Sequence, residues 1–224
     1  NIHRLDSVQI LTPIVPKTFY CAGLNYVGHL QVADPVLGLS EKNIPTAPNI
    51  GYRANNALIA HGESIIIPKD ATEKVQYEGE LVVVIGEKAK NLSIDDAFSC
   101  VLGYTIGNDV SERTWQASAS TLWRSKNTDT FKPMGPWIET EVDLSTMKTT
   151  IALNGTTVSQ FDTNNMVFSI ATYISAMPRY LTLYPGDVIW MGTDGATENI
   201  KAGDIVDIEI SGIGTLTNPV VSGG

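Results

Sequence analysis

Short apolar runs separated by turn residues dominate the hydrophobic pattern of this 224-residue chain. Runs rich in β-branched and aromatic side chains predict strands, and they outnumber the stretches with a helical period. The dipeptide Asn154-Gly155 lies between two such runs and is the strongest short signal for a β-hairpin. The predicted strands cover residues 18–24, 64–67, 77–86, 103–108, 150–153, 156–160, 187–191, 204–210 and 214–221.

A smaller part of the chain is predicted to be helical. Ser93 and Ser111 are suited to cap helices, and Pro178 is expected to end one. A polar stretch with several prolines at residues 34–49 predicts a loop or lid. Because strands and helices do not alternate regularly, the fold class is predicted to be α+β and mainly β. The predicted helices cover residues 26–33, 93–102, 111–119 and 168–180.

Composition and charge narrow the class of protein. Hydrophobic residues make up 43% and charged residues 17% of the chain, as expected for one globular domain. A net charge of −9 argues against a nucleic-acid partner, which would need a basic surface. No apolar run is long enough to span a membrane. Cys21 and Cys100 lack metal-ligand spacing, so we expect two reduced thiols in a cytoplasmic protein.

The stretch VQYEGELVVVIGE, residues 75–87, combines a predicted buried strand with two closely spaced acids. Its run Leu-Val-Val-Val-Ile is typical of a strand that is covered on both faces. Glu78 and Glu80 are two positions apart, so on a strand they project from the same face. Two such charges repel unless one is protonated, a basic group neutralises them, or a cation lies between them. The alternative, an edge strand with both acids in solvent, conflicts with the apolar run.

A third acid follows the next predicted strand. Asp109 lies in GYTIGNDVSERTWQ, where a strand is predicted to end and a helix to begin. Together with Glu78 and Glu80 it would form an all-oxygen site suited to Mg²⁺ or Mn²⁺, with water at the remaining positions. Aspartate is also a common helix cap, so the spacing alone leaves that alternative open.

Six motifs occur in order between Phe19 and Val221, and together they resemble the fumarylacetoacetate hydrolase family. The motifs are YCAGLNYVGH, YEGELVVVIG, GYTIGNDVSERTWQ, KNTDTFKPMGPW, NNMVFSIATYIS and YPGDVIWMGT. The resemblance implies a mixed β-roll or β-sandwich catalytic domain over residues 19–224, with short flanking helices. Residues 1–18 would then be an N-terminal remnant or linker, and the protein would be a homodimer.

The resemblance also implies a ligand set and a chemistry. Glu78, Glu80 and Asp109 would hold Mg²⁺ or Mn²⁺, with Ca²⁺ as a further candidate. The substrate would be a small 2-oxo or 1,3-dicarbonyl acid that reacts through an enolate. Lys126 matches the family lysine that faces the substrate, although a lone lysine is otherwise a surface residue. The residues implied in substrate binding are Tyr26, Arg53, Arg113, Gln116 and Thr193.

His29 matches a family histidine that activates water in hydrolytic members. Its usual carboxylate partner is absent, because Val32 occupies the position three residues later. An imidazole without an orienting acid is a poorer general base, and a surface histidine on a lid is the alternative. Thr114 and Asp194 also depart from the family pattern, where aspartate and proline are usual. Both departures lie near the expected pocket.

Three functions follow from these residues. The first is metal-dependent C–C bond hydrolysis of an acylpyruvate-like or fumarylacetoacetate-like acid, with His29 delivering water. The second is a non-hydrolytic oxo-acid decarboxylase, isomerase or tautomerase, which needs no activated water. The third is a catalytically silent small-molecule binder. Hydrolysis is the reading favoured at this point, and the lack of a glutamate at position 32 counts for the second.

Overall fold

The computed structural model describes residues 4, 7–28 and 44–224, and these form two packed β-sheets with short helices. A seven-stranded sheet has the order β2-β1-β12-β6-β7-β9-β3, and a five-stranded sheet has the order β11-β10-β13-β14-β4. A small pair, β5 and β8, lies apart from both. The predicted α+β, mainly β, fold class is confirmed.

The bounds of the elements are as follows. The strands are β1 Phe19–Gly23, β2 Asn49–Tyr52, β3 Leu58–Ile59, β4 Ile65–Ile67, β5 Val75–Gln76, β6 Gly79–Ile85, β7 Val101–Asn108, β8 Ser111–Glu112, β9 Lys132–Glu139, β10 Lys148–Leu153, β11 Thr156–Asp162, β12 Val188–Trp190, β13 Ile205–Ile210 and β14 Gly214–Ser222. The α-helices within the described residues are α1 Arg113–Ser118, α2 Trp123–Asn127 and α3 Ile170–Ala176. Short 3-10 helices cover Asn55–Ala57, Ala97–Cys100 and Met177–Arg179.

Strand β6 is the centre of the larger sheet, and every residue of it is buried. It pairs with β12 on one side and β7 on the other, both antiparallel. Its odd-numbered residues from Leu81 onward face the main core. Val82 and Val84 face a second, smaller core around Trp190. Burial on both faces explains why the sequence shows an uninterrupted apolar run here.

The sequence located most strands but misplaced one helix. Each predicted strand corresponds to an observed strand within a few residues, including the hairpin of β10 and β11. The helix predicted at 93–102 is wrong. Ser93 and Asp96 hydrogen-bond to each other in a tight turn, only Ala97–Cys100 is helical, and β7 begins at Val101. Pairing of β7 with β6 there overrides the local helical pattern.

Three strands of the larger sheet, β2, β3 and β9, were not predicted. Strand β9 contains Pro133 and Pro136, which argue against a strand because proline cannot donate a ladder hydrogen bond. It nevertheless pairs with β7 on one side and β3 on the other. Strand β2 begins at Asn49, so the predicted loop at 34–49 ends one residue early. The rest of that loop up to residue 43, and residues 29–33 of the first predicted helix, lie outside the described residues; residues 27 and 28 are helical.

None of the described helices is long and apolar enough to cross a membrane. Cys21 and Cys100 are both free and buried, as expected for reduced thiols. Burial raises the pKa of the Cys21 thiol to about 11, which leaves it protonated and unreactive at neutral pH.

The close approach of Trp190 to Gly107 gives a test of this packing. A Cβ added at Gly107 would lie 2.5 Å from Cζ3 of Trp190, too close without movement of the indole or the strand. We expect Gly107→Ala to lower the free energy of unfolding by about 1–3 kcal/mol through overpacking. Urea denaturation measures the change. Gly224→Ala is the control because no atom lies within 4 Å of its added Cβ. Equal midpoints for the two variants would contradict the packing described here.

Candidate metal centre

The paired ends of β6 and β7 bring the acids together. The backbone N–H of Asp109 donates to the carbonyl of Glu78 at 2.9 Å, and the backbone N–H of Glu78 donates to Oδ1 of Asn108 at 3.0 Å. Glu80 lies opposite Gly107 in the ladder. The register of one strand pair therefore sets the relative positions of all three acids.

The three carboxyl groups form one buried cluster. Each of Glu78, Glu80 and Asp109 offers an oxygen that lies within 4.8 Å of the oxygens offered by the other two. Their exposed fractions are only 2%, 2% and 1%, so the glutamates do not face solvent from an edge strand. Buried carboxylates at this separation need positive charge or protons to offset their repulsion.

Asp109 is surrounded by cations. Arg53 bridges both of its oxygens, with Nε 3.1 Å from Oδ1 and Nη2 2.8 Å from Oδ2. Nζ of Lys126 lies 2.8 Å from Oδ2, and Nζ of Lys132 lies 2.7 Å from Oδ1. Burial alone would raise the pKa of the Asp109 carboxyl, but Arg53, Lys126 and Lys132 hold that pKa well below its usual value. Asp109 is therefore a carboxylate at any ordinary pH.

Glu78 is paired with Arg113 and with Lys126. Nη2 of Arg113 lies 2.7 Å from its Oε1, and Nζ of Lys126 contacts its Oε2. Arg113 also donates to Oε1 of Gln76 at 2.7 Å and to Oε1 of Gln116 at 2.8 Å. Its guanidinium is thus held between a carboxylate and two amides, at the start of α1.

Glu80 differs from the other two acids. It accepts a hydrogen bond from the backbone N–H of Gly192 at 2.7 Å, and within the described chain no ion pair to it is found. Gly192 has φ +88, a conformation that favours glycine and orients this N–H. Burial, with Asp109 and Glu78 nearby, raises the pKa of Glu80 to about 8. Burial likewise lowers the pKa of Lys132 to about 8, although Asp109 opposes that shift.

The chemistry of this donor set fits a hard divalent cation. All three candidate ligands are carboxylates at strand ends, and among the described residues no nitrogen or sulfur ligand accompanies them. Mg²⁺ and Mn²⁺ prefer such all-oxygen sites. Burial, with Asp109 and Glu78 adding to it, raises the pKa of Glu80, so its negative charge is the least stabilised of the three. A dication at this position would complete the compensation.

A cavity of about 640 Å³ opens next to the triad. Four of the residues predicted to act on the substrate line it: Arg53, Gln116, Lys126 and Thr193. Arg53, however, uses its guanidinium on Asp109 and the Tyr52 carbonyl.

Tyr26 and Arg113 are not among the lining residues. Tyr26 is buried and donates its hydroxyl hydrogen to the carbonyl of Thr163. Arg113 contacts Glu78 and does not line the cavity. His29 lies outside the described residues.

Sequence reasoning missed several parts of the site. The motif that contains Lys132 does not predict a role for it, although its side chain is fully buried and contacts Asp109. Asn25 and the segment 117–120 also line the cavity. In the sequence, the signal that Lys132 is buried is its position between the apolar residues Phe131 and Pro133.

Fold and site together define a class: a two-sheet β protein whose larger sheet presents a buried acidic triad and a lysine to a small-molecule cavity. The family model described as fumarylacetoacetate (FAA) hydrolase C-terminal matches residues 18–221. The chain therefore belongs to the fumarylacetoacetate hydrolase family.

Relatives show what chemistry the family supports. A 5-carboxymethyl-2-hydroxymuconate delta-isomerase from Mycobacterium smegmatis is 39% identical, with a TM-score of 0.86, over 98% of this chain and 84% of the other. A mitochondrial oxaloacetate tautomerase of Rattus norvegicus is 34% identical over 96% of this chain and 70% of its own length. A maleylpyruvate hydrolase from Sphingobium sp. SYK-6, solved with manganese(II) and pyruvate, is 25% identical with a TM-score of 0.81, over 98% and 76% of the two chains. The family thus includes isomerases, tautomerases and hydrolases.

The pKa of Glu80 predicts how metal uptake depends on pH. Below about pH 8 the Glu80 carboxyl carries a proton, which a metal must displace. We therefore expect affinity for Mn²⁺ to fall as the pH drops from 8 to 6, with release of about one proton per metal bound. Calorimetry in buffers of different ionisation enthalpy measures that proton.

Glu80→Gln is the matched control. It removes the titrating group, so it should bind Mn²⁺ weakly and release no proton. Uptake of metal by the unaltered protein at pH 6 without proton release would contradict the assignment of Glu80.

Proposed function

We propose that this protein is a divalent-metal-dependent enzyme that interconverts keto and enol forms, or double-bond isomers, of a small 2-oxo acid. The observation that carries the proposal is the position of Lys126. Its ammonium contacts both Glu78 and Asp109, lies at a cavity of small-molecule size, and is only 5% exposed. A cationic donor beside a metal triad suits a reaction in which charge develops on a carbonyl oxygen.

Glu78, Glu80 and Asp109 are the residues that would hold the metal. When bound, a divalent ion supplies Lewis-acid polarisation of a 2-oxo carbonyl and fixes the orientation of the acid. The side chains of the protein do the remaining work.

Lys126 is suited to stabilise the oxygen of the forming enolate. Its N–H groups donate to that oxygen while solvent water in the cavity takes the proton from the neighbouring carbon. One N–H proton can then pass to the oxygen to give the enol, and Lys126 regains a proton from the hydronium ion. Gln116 assists from α1. Because its Oε1 accepts from Arg113, its amide nitrogen is left to donate into the cavity that it lines. Thr193 supplies a further hydroxyl to the same cavity.

We infer the non-hydrolytic outcome in place of the hydrolysis favoured from sequence. Keto–enol conversion moves a proton between carbon and oxygen and consumes no water, so it needs no activated water nucleophile. Hydrolysis needs a positioned base for water in addition, and in the sequence Val32 replaces the usual carboxylate partner of His29. The two relatives named as isomerase and tautomerase support this choice.

C–C hydrolysis is the second candidate, and one contact favours it. The backbone N–H of Gly28 donates to Oδ1 of Asp194 at 3.1 Å, and Asp194 follows the cavity residue Thr193. Gly28 is therefore held by the residue that follows Thr193, a lining residue of the cavity. His29 would act as the water-activating base, as the sequence predicts, and the maleylpyruvate hydrolase gives a hydrolytic precedent in the family. The homodimer stays a prediction.

Proton exchange at carbon separates the outcomes. We expect NMR in D₂O with Mg²⁺ to show rapid deuterium exchange at C3 of 2-oxo acids such as oxaloacetate, with tautomer or isomer products and no cleavage. Lys126→Met should slow this exchange by about 10²- to 10⁴-fold. Lys69→Met, on the exposed surface, is the control and should match the unaltered protein. Cleavage fragments would establish the second candidate, and no exchange in folded, metal-loaded protein would refute both.

Metal linkage provides a test that needs no substrate. We expect Mg²⁺ or Mn²⁺ to raise the melting temperature of EDTA-treated protein, since binding at 100 times Kd adds about 2.7 kcal/mol of stability. Glu80→Ala should remain folded and lose the shift. A shift of equal size in that variant would remove Glu80 from the ligand set.

A further inference from the structure

Each acid of the triad has one oxygen held by a group other than Lys126. Oε1 of Glu78 lies 2.7 Å from Nη2 of Arg113, a residue that does not line the cavity. Oε2 of Glu80 accepts the Gly192 backbone N–H at 2.7 Å. The second oxygen of Glu78, Oε2, contacts Lys126, which lines the cavity, and the second oxygen of Glu80 is Oε1.

Lys132 does the same for Asp109, and it is held more firmly. Its ammonium has three N–H donors and three acceptors: Oδ1 of Asp109 at 2.7 Å, the Val110 carbonyl at 3.0 Å and the Phe131 carbonyl at 2.8 Å. The side chain is completely buried and does not line the cavity. Because every donor is used and the side chain is fully buried, the position of the Lys132 ammonium is fixed.

The other two cations at Asp109 do not single out Oδ1. Arg53 bridges Oδ1 and Oδ2, so it treats the two oxygens alike. Lys126 contacts Oδ2 alone and does line the cavity. Lys132 is thus the group that distinguishes Oδ1, which it contacts, from Oδ2, which contacts the cavity residue Lys126.

We propose that Lys132 is a positioning residue that keeps Oδ1 of Asp109 out of metal coordination, so that Asp109 binds through Oδ2 alone and Mg²⁺ or Mn²⁺ is favoured over Ca²⁺. The inference rests on the proposed function in requiring a metal at the triad. Mg²⁺ demands six-coordinate geometry and takes single carboxylate oxygens, whereas Ca²⁺ takes six to eight ligands and readily accepts both oxygens of one carboxylate. A triad limited to one oxygen per acid therefore disfavours Ca²⁺.

The test is the ratio of Ca²⁺ affinity to Mg²⁺ affinity, measured by calorimetry in Lys132→Met and the unaltered protein. Freeing Oδ1 should raise this ratio about tenfold, the usual scale for loss of a group that orients a ligand. Removal of a positive charge affects two dications equally, and partial unfolding lowers both affinities together. Neither effect changes the ratio.

Lys126→Met is the matched control. It removes the same charge from the same carboxylate, but from Oδ2. It also frees Oε2 of Glu78, whose other oxygen stays on Arg113. We expect both affinities to change and their ratio to stay constant. A ratio that rises equally in the two variants, or that is unchanged in Lys132→Met, overturns the assignment.

Loss of Lys132 leaves two buried carbonyls without a donor, so Lys132→Met can fail to fold. Lys132→Gln then serves, since its shorter side chain carries no charge and its amide retains a donor for the buried carbonyls. The unaltered protein gives an independent result: in crystals with Ca²⁺, Oδ1 should stay on Lys132 and only Oδ2 should bind the ion. Both oxygens on Ca²⁺ overturn the assignment. If the unaltered protein binds none of Mg²⁺, Mn²⁺ or Ca²⁺, the proposed function fails as well.

Discussion

The structure depends on how three buried carboxylates are held side by side. Removing a carboxylate from water costs several kcal/mol even in real proteins, and placing three within 4.8 Å adds their mutual repulsion. The positively charged side chains stabilise the three carboxylates unequally. Arg53, Lys126, Lys132 and Arg113 offset Asp109 and Glu78, while Glu80 has only a backbone N–H and retains a raised pKa. A divalent ion next to Glu80 would correct that imbalance.

The fold explains why such a cluster is stable in position. Strand β6 is buried on both faces, and its first residue, Gly79, lies so close to Ile151 of the second sheet that a Cβ would come within 2.9 Å. Glu78 and Glu80 lie at the start of β6 and alternate along it with the same period as Val82 and Val84, which pack in the smaller core around Trp190. Both glutamates also line the cavity. Rigid strand ends fix ligands more closely than loops do, which suits a metal with strict geometry.

Much of this could be predicted from the sequence because the signals are local. The apolar run of β6, the Glu-x-Glu spacing and the strand-to-helix change at Asp109 are all readable without a structure. Other parts depend on long-range contacts. The ion pairs Arg113–Glu78 and Lys132–Asp109 join residues of different elements, so the sequence alone does not reveal them. The helix expected at 93–102 failed for the same reason, since sheet pairing decided its last residues.

Shared enolate chemistry would rest on the triad and Lys126, and other residues around the cavity would decide the final product. This chemistry requires that Glu78, Glu80 and Asp109 bind one divalent ion together. Anomalous diffraction from crystals grown with Mn²⁺ tests that requirement. We expect one peak within about 2.3 Å of an oxygen from each acid. No peak there, or a peak that contacts only one of them, would contradict it.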